Sequence, residues 1–142
     1  MSILILCDHE NGQLSPVTLN AVSAASQIGG EMHLLVAGDQ TGNVAKAAAS
    51  IAGIAKVLVA DDKSLENGLA ENLAPLMQSL SGSYSHMMAA ATTTGKNVMP
   101  RLAALRDVMH ISDIIKIDDA NTFQRPIYAG NAPSTVSSNE AI

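Results

Sequence analysis

Short apolar runs recur along this chain, and each of the first four ends in a polar turn that leads into a helical pattern. Uniformly apolar strands are typical of a parallel sheet, because both faces of such a sheet are covered. Strands that alternate with helices predict right-handed crossovers and a three-layer α/β sandwich with a mostly parallel sheet. The predicted strands, in the sheet order 3-2-1-4-5, are Ser2–Cys7, Met32–Ala37, Ala55–Ala60, His86–Ala91 and Ile111–Ile117.

Prolines, glycines and capping residues indicate the helix boundaries. Ser15-Pro16 predicts a helix with serine as its N-cap and proline at its first position, and Gly29-Gly30 is expected to end that helix. Apolar residues recur at helical spacing over Val98–Met109. Pro100 is expected in the first turn of this fourth helix, so Thr92–Asn97 is predicted to be a polar loop.

The pattern changes after the fifth strand, because no helix separates the last two extended segments. Thr122–Ala129 and Ser134–Ser137 are joined by a short turn that contains glycine and proline, which predicts a C-terminal antiparallel hairpin. Residues 1–142 are expected to form a single α/β domain. The chain ends soon after this hairpin, as expected for a domain boundary, a proteolytic product or a shortened form of a longer protein.

Composition excludes several classes of function. Of the 142 residues, 47% are hydrophobic and only 2% are aromatic, so the chain lacks the stacking platforms that single-stranded nucleic acid needs. The net charge is -5 and there is no basic stripe, which argues against nucleic acid as a partner. No apolar run is long enough to predict insertion into a membrane. Cys7 is the only cysteine and is expected to be a small buried hydrophobe.

The predicted strand order places a crevice between the first and fourth strands, where ligands of parallel α/β sheets usually bind. The loops Asp8–Gly12 and Thr92–Asn97 should border this crevice. Hydroxyl groups, Gly95 and Lys96 at a helix start could bind an anion. However, no phosphate-loop or dinucleotide fingerprint is present, and the carboxylates of the first loop would repel phosphate. A structural or docking loop is therefore favoured, with phosphate binding as the alternative.

Other polar residues do not form a catalytic or metal-binding pattern. Histidines 9, 33, 86 and 110 match no metal-ligand spacing, and no nucleophile elbow supports a hydrolase. We therefore expect no catalytic residue and no metal site. Arg101 and Arg125 are interpreted either as solvated side chains or as partners in an ion pair between domains.

Several sequence strings resemble the N-terminal domain of the electron transfer flavoprotein α subunit. They share residue types and spacing with that family from the first strand to the end of the chain. The strings are Leu14–Asn20, Val57–Ala60, Gly95–Arg101, Ile111–Ile115 and Arg125–Ala132. The resemblance implies a Rossmann-like fold, similar also to adenine nucleotide hydrolases, within a heterodimer of α and β subunits.

The resemblance also implies an electron carrier rather than an enzyme. One FAD in the complete heterodimer would carry electrons from acyl-CoA and other dehydrogenases, in fatty acid β-oxidation, to a quinone oxidoreductase. The FAD-binding C-terminal domain has no counterpart in this chain, so no FAD-binding residue is assigned, and AMP is expected in the partner β subunit. The expected location is the cytoplasm of a bacterium or the mitochondrial matrix of a eukaryote.

Within that family, this domain is expected to be a scaffold at the subunit interface. The interface candidates are Gly95, Lys96, Asn97, Arg101 and Arg125. The alternative is a stand-alone nucleotide-binding module of the universal-stress-protein type. That family has several glycines after its fourth strand, whereas Gly95 is the only glycine between Thr92 and Asp113.

Overall fold

A computed structural model describes most of the first 106 residues and three short strands beyond them. The described residues are 2–10, 13–38, 42–61, 70–90, 92–106, 116–119, 122–126 and 133–137. The helices are α1 (Val17–Ile28), α2 (Gly42–Ala49), α3 (Ala70–Leu80) and α4 (Thr93–Arg106). The strands are β1 (Ser2–Leu6), β2 (His9–Glu10), β3 (Gln13–Leu14), β4 (Glu31–Gly38), β5 (Ile54–Asp61), β6 (His86–Ala89), β7 (Lys116–Asp119), β8 (Thr122–Pro126) and β9 (Pro133–Ser137).

The central sheet has four parallel strands in the order β5-β4-β1-β6. The first four predicted strands lie in this order. Helices cover both faces of the sheet, so the predicted α/β class is confirmed. The carboxyl ends of all four strands meet at one edge.

Alternate residues of each central strand pack into two separate cores. Ile3 and Ile5 of β1 lie in the core beneath α1 and α2. Leu4 and Leu6 face the opposite way and pack with residues of α3 and α4. Because successive side chains of a strand point to opposite faces, only a continuous apolar run can fill both cores. This arrangement explains the uniformly apolar strands of the sequence.

Only the last two residues of the predicted fifth strand, Ile111–Ile117, are described, and they do not lie in the parallel sheet. Residues 111–115 lie outside the described residues. The last two residues, Lys116 and Ile117, belong to β7, which pairs with β8 in an antiparallel sheet. Asp119 is opposite Thr122, and such a short connection joins antiparallel strands only. For these two residues the predicted parallel strand is therefore wrong. The backbones of β8 and β9 also pair antiparallel.

Both predicted helix starts are shifted in the structure. Pro16 has helical backbone angles but occupies the N-cap position, and Ser15 accepts a hydrogen bond from Thr18 through its carbonyl rather than its side chain. Helix α4 begins at Thr93, so most of the predicted polar loop is helical and Pro100 lies inside the helix. The first-turn position expected for Pro100 is therefore wrong.

Candidate functional site

The carboxyl edge of the sheet is bordered by an unpredicted hairpin formed by β2 and β3. Its strands pair between His9 and Leu14 and between Glu10 and Gln13. The two intervening residues are Asn-Gly, which is the strongest short sequence signal for a hairpin turn. This signal in the sequence could have identified the hairpin, which was expected only as a polar turn.

The side chain of His9 continues the hydrogen-bond ladder between β1 and β4. The backbone N–H of Cys7 donates to the carbonyl of Leu35 at 2.9 Å. In a regular parallel ladder the backbone N–H of His9 would bind the carbonyl of Ala37. Instead, Nε2 of the His9 ring lies 2.8 Å from that carbonyl oxygen. Since a carbonyl can only accept, Nε2 carries the hydrogen. The ring thus makes the next hydrogen bond of the ladder while the backbone turns into the hairpin.

A buried threonine holds the turn between β1 and the hairpin. The hydroxyl of Thr18, on α1, accepts from the N–H of Asp8 at 3.0 Å and donates to its carbonyl at 3.2 Å. The N–H of Ser15 also donates to the Asp8 carbonyl, at 2.8 Å. Thr18 is fully buried on the apolar stripe of its helix. Thr18 lies three positions before buried Ala21, and this helical spacing is the sequence signal that could have placed it on the buried face.

The start of α4 is pressed against the end of β6. Gly95 is buried, and a Cβ at this position would overlap the carbonyl oxygen of Ala90. The N–H of Gly95 donates to the hydroxyl of Thr92 at 3.2 Å, which explains why the helix begins earlier than predicted. A phosphate at this helix start would need such N–H groups. In this structure the N–H of Gly95 is already bound to Thr92, and the carbonyl of Ala90 occupies the space beside Gly95.

One face of α4 is exposed and contains two of the predicted interface residues. Asn97 and Arg101 are exposed, while Val98 and Leu102 lie in the core. Gly95 is at the buried base of the same helix, where it sets the distance between α4 and β6. Nothing is described of the Lys96 and Arg125 side chains; the backbone of Arg125 belongs to β8 and pairs with Ser134.

The remaining predicted polar residues are occupied in structural contacts or lie outside the described residues. Cys7 is buried, as predicted, and burial raises the pKa of its thiol to about 12. In His33, Nδ1 lies 2.8 Å from the Tyr84 hydroxyl and Nε2 lies 3.1 Å from a carboxylate oxygen of Glu31. His110 is not among the described residues.

The described part of the chain holds neither a metal-binding cluster nor a helix that could cross a membrane. No group of three His, Cys, Asp or Glu side chains in this part of the chain could hold a metal ion. None of the helices over the same residues combines the length and apolar character that crossing a membrane requires.

Comparisons with known proteins give one consistent result. Residues 3–142 match the family model described as the electron transfer flavoprotein domain. The chain is 51% identical over 142 residues to electron transfer flavoprotein subunit alpha of Pseudomonas aeruginosa, a match that covers 100% of this chain and 46% of that protein. It is 50% identical to the subunit alpha of Paracoccus denitrificans, covering 99% of this chain and 46% of that protein.

A eukaryotic relative shows the same partial coverage. The mitochondrial subunit alpha of Dictyostelium discoideum is 43% identical over 145 residues, with 96% of this chain and 41% of that protein covered. The chain therefore spans less than half the length of these relatives.

Proposed function

Because the chain belongs to the electron transfer flavoprotein family, we propose that it acts as the base domain of an α subunit in an electron-carrying heterodimer. The observation that carries this proposal is the match of the whole chain to an α subunit more than twice as long, together with the family-model match over residues 3–142. On this proposal the domain is a structural part of the subunit interface and contributes no catalytic residue. The stand-alone module of the universal-stress-protein type is not favoured, since the relatives are named as subunits of the flavoprotein.

We further propose that FAD is bound by the part of the α subunit that this chain does not cover, and that AMP is bound by the β subunit. The state of the carboxyl edge supports this division. The carbonyl of Ala37, both backbone polar groups of Asp8 and the N–H of Gly95 are hydrogen-bonded within the chain. A cofactor at this edge would have to displace those bonds. Acyl-CoA and other dehydrogenases and the quinone oxidoreductase would contact the complete heterodimer.

The proposed contact with the β subunit lies on the exposed face of α4. Arg101 and Asn97 project from a helix whose opposite side is anchored by Val98 and Leu102 in the core. A face that is already held in place loses little conformational freedom when a partner binds. Lys96 and Arg125 complete the proposed interface. The heterodimer would act in the bacterial cytoplasm or, in a eukaryote, in the mitochondrial matrix.

Substitutions that remove one positive charge test this interface. Arg101→Ala and Lys96→Ala should each weaken binding to the β subunit about tenfold, as expected for an interfacial arginine or lysine. The matched control is Lys46→Ala, which removes an exposed charge from α2. Affinity is measured by titrating the β subunit with each form of the chain.

The outcome that refutes the interface is unchanged affinity for both α4 variants while the unsubstituted chain binds the β subunit. Failure of the unsubstituted chain to bind would refute the base-domain function itself. A flavin absorbance band retained by the purified chain would refute the proposed location of FAD.

A further inference from the structure

Three polar side chains at the amino edge of the central sheet form a hydrogen-bonded path from the core to the surface. The Tyr84 hydroxyl lies 2.8 Å from Nδ1 of His33, and Nε2 of the same ring lies 3.1 Å from a carboxylate oxygen of Glu31. Tyr84 is 9% exposed, whereas the side chains of His33 and Glu31 are 14% and 56% exposed. A proton that leaves the buried phenol can therefore move stepwise toward solvent.

The carboxylate of Glu31 sets the direction of these hydrogen bonds when the imidazole is neutral. An ionised carboxylate can only accept, so Nε2 of His33 carries the hydrogen and Nδ1 accepts from the Tyr84 hydroxyl. In the Ser-His-Asp triad the same order of groups transfers a proton to the imidazole, and the carboxylate stabilises the imidazolium that forms. His33 is therefore placed to accept the phenolic proton.

The surroundings of Tyr84 favour redox chemistry over nucleophilic chemistry. Burial and the nearby charge of Glu31 raise the pKa of Tyr84, so the nucleophilic phenolate is disfavoured at neutral pH. A neutral phenol that loses an electron becomes a strong acid and needs a base beside it. We propose that Tyr84 is a redox-active residue, which gives an electron to a one-electron oxidant while its proton moves to Nδ1 of His33, independently of the base-domain role.

This step balances in atoms and in charge. The O–H bond of Tyr84 breaks, an N–H bond forms at Nδ1 of His33, and the electron passes to the oxidant, which is reduced. The products are a neutral phenoxyl radical and an imidazolium whose Nε2–H faces the carboxylate of Glu31. Return of one electron, with the proton from Nδ1, restores the phenol.

Backbone contacts hold the tyrosine in place for this transfer. The N–H of Tyr84 donates to the carbonyl of Ser81 at 3.1 Å, and the N–H of Ser85 donates to the carbonyl of Ser2 at 2.8 Å. The phenol ring packs in the core beneath α3 and α4, nearly perpendicular to the imidazole ring at 88°. Because the proton donor and acceptor are already in contact, the transfer needs no rearrangement of the chain.

Flash oxidation of the purified chain tests the proposal, because the chain has two tyrosines and no tryptophan. The oxidant is tris(bipyridine)ruthenium(III), generated by a laser flash in the presence of persulfate, and the near-ultraviolet absorbance of the tyrosyl radical reports the product. A fast phase of radical formation should appear in the unsubstituted chain. This phase should remain in Tyr128→Phe and be lost in Tyr84→Phe.

His33→Gln separates proton transfer from hydrogen bonding. The glutamine amide can accept from Tyr84 and donate to Glu31, but it is too weak a base to take the phenolic proton. This substitution should slow the fast phase about a hundredfold, as expected when a general base is removed. The matched control, His9→Gln, removes an imidazole at the opposite edge of the sheet and should leave the rate unchanged.

The proposal is overturned if the unsubstituted chain shows no fast phase, or if Tyr84→Phe retains it. It is also overturned if His33→Gln, shown by its urea midpoint to be folded, is oxidised as fast as the unsubstituted chain. A further measurement needs no substitution. Since the proton moves with the electron, the fast phase should be slower in heavy water than in ordinary water, and equal rates would also overturn the proposal.

Discussion

Gly95→Ala tests whether packing alone requires glycine at the start of α4. A Cβ at this position would overlap the carbonyl oxygen of Ala90 and would lie 3.3 Å from its carbonyl carbon and 3.5 Å from the Ala89 side chain. The carbonyl belongs to the backbone and cannot rotate away as a side chain would. Either α4 or the end of β6 must therefore move.

The expected loss combines two opposing contributions. Overpacking a close contact costs about 3 kcal/mol at the upper end of its usual range, which suits a clash with backbone. Replacing glycine by alanine in a helix returns up to about 1 kcal/mol. We therefore expect Gly95→Ala to lower the free energy of unfolding by about 2 kcal/mol. Urea denaturation followed by far-ultraviolet circular dichroism measures this value.

Gly42→Ala provides the matched control for this measurement. Gly42 also lies in the first turn of a helix, but a Cβ there would have nothing within 4 Å. This variant should be unchanged or more stable by up to about 1 kcal/mol. Equal stabilities of the two variants would refute the packing argument, and Gly95 would then need another explanation, such as close approach of an anion.

Two further predictions concern buried polar groups. Tyr84→Phe leaves Nδ1 of His33 without its hydroxyl partner at 2.8 Å, so the free energy of unfolding in urea should fall by about 1 kcal/mol, and an unchanged value would contradict the proposed hydrogen bond. Burial raises the pKa of the Cys7 thiol from 9.0 to about 12, so the stability from its neutral form is complete below pH 9 and is lost as the pH rises through 12. Between these limits the unsubstituted chain should lose about 1.4 kcal/mol more per pH unit than Cys7→Ala, whereas parallel pH profiles would contradict this assignment.

The sequence predicted those parts of the fold that depend on local patterns. Continuous apolar runs identified β1, β4, β5 and β6, because strands covered on both faces admit few polar residues. The buried state of Cys7 followed from its place in one of these runs. The start of α4 was predicted wrongly, since Pro100 is typical of a first helical turn, whereas the hydroxyl of Thr92 begins the helix earlier.

The candidate site was less predictable because its contacts join residues that are far apart in the chain. His9 and Ala37 are 28 positions apart, and His33 and Tyr84 are 51 positions apart. Neither contact produces a local periodicity or spacing motif. Residues 8–10 of the predicted loop lie at the carboxyl edge and residues 11–12 lie outside the described residues, but the sequence does not show that a histidine ring would extend the strand ladder.

Three contacts at the carboxyl edge bear both on ligand binding and on the proposed scaffold role. His9 joins the hairpin to β4, Thr18 joins α1 to the end of β1, and Gly95 allows α4 to contact the end of β6. The polar groups of all three are hydrogen-bonded within the chain. Because these contacts are already formed within the chain, a partner that bound beside them would lose little conformational entropy. Under the proposed base-domain role, the groups that reduce the capacity of this edge for a nucleotide would also favour assembly beside it.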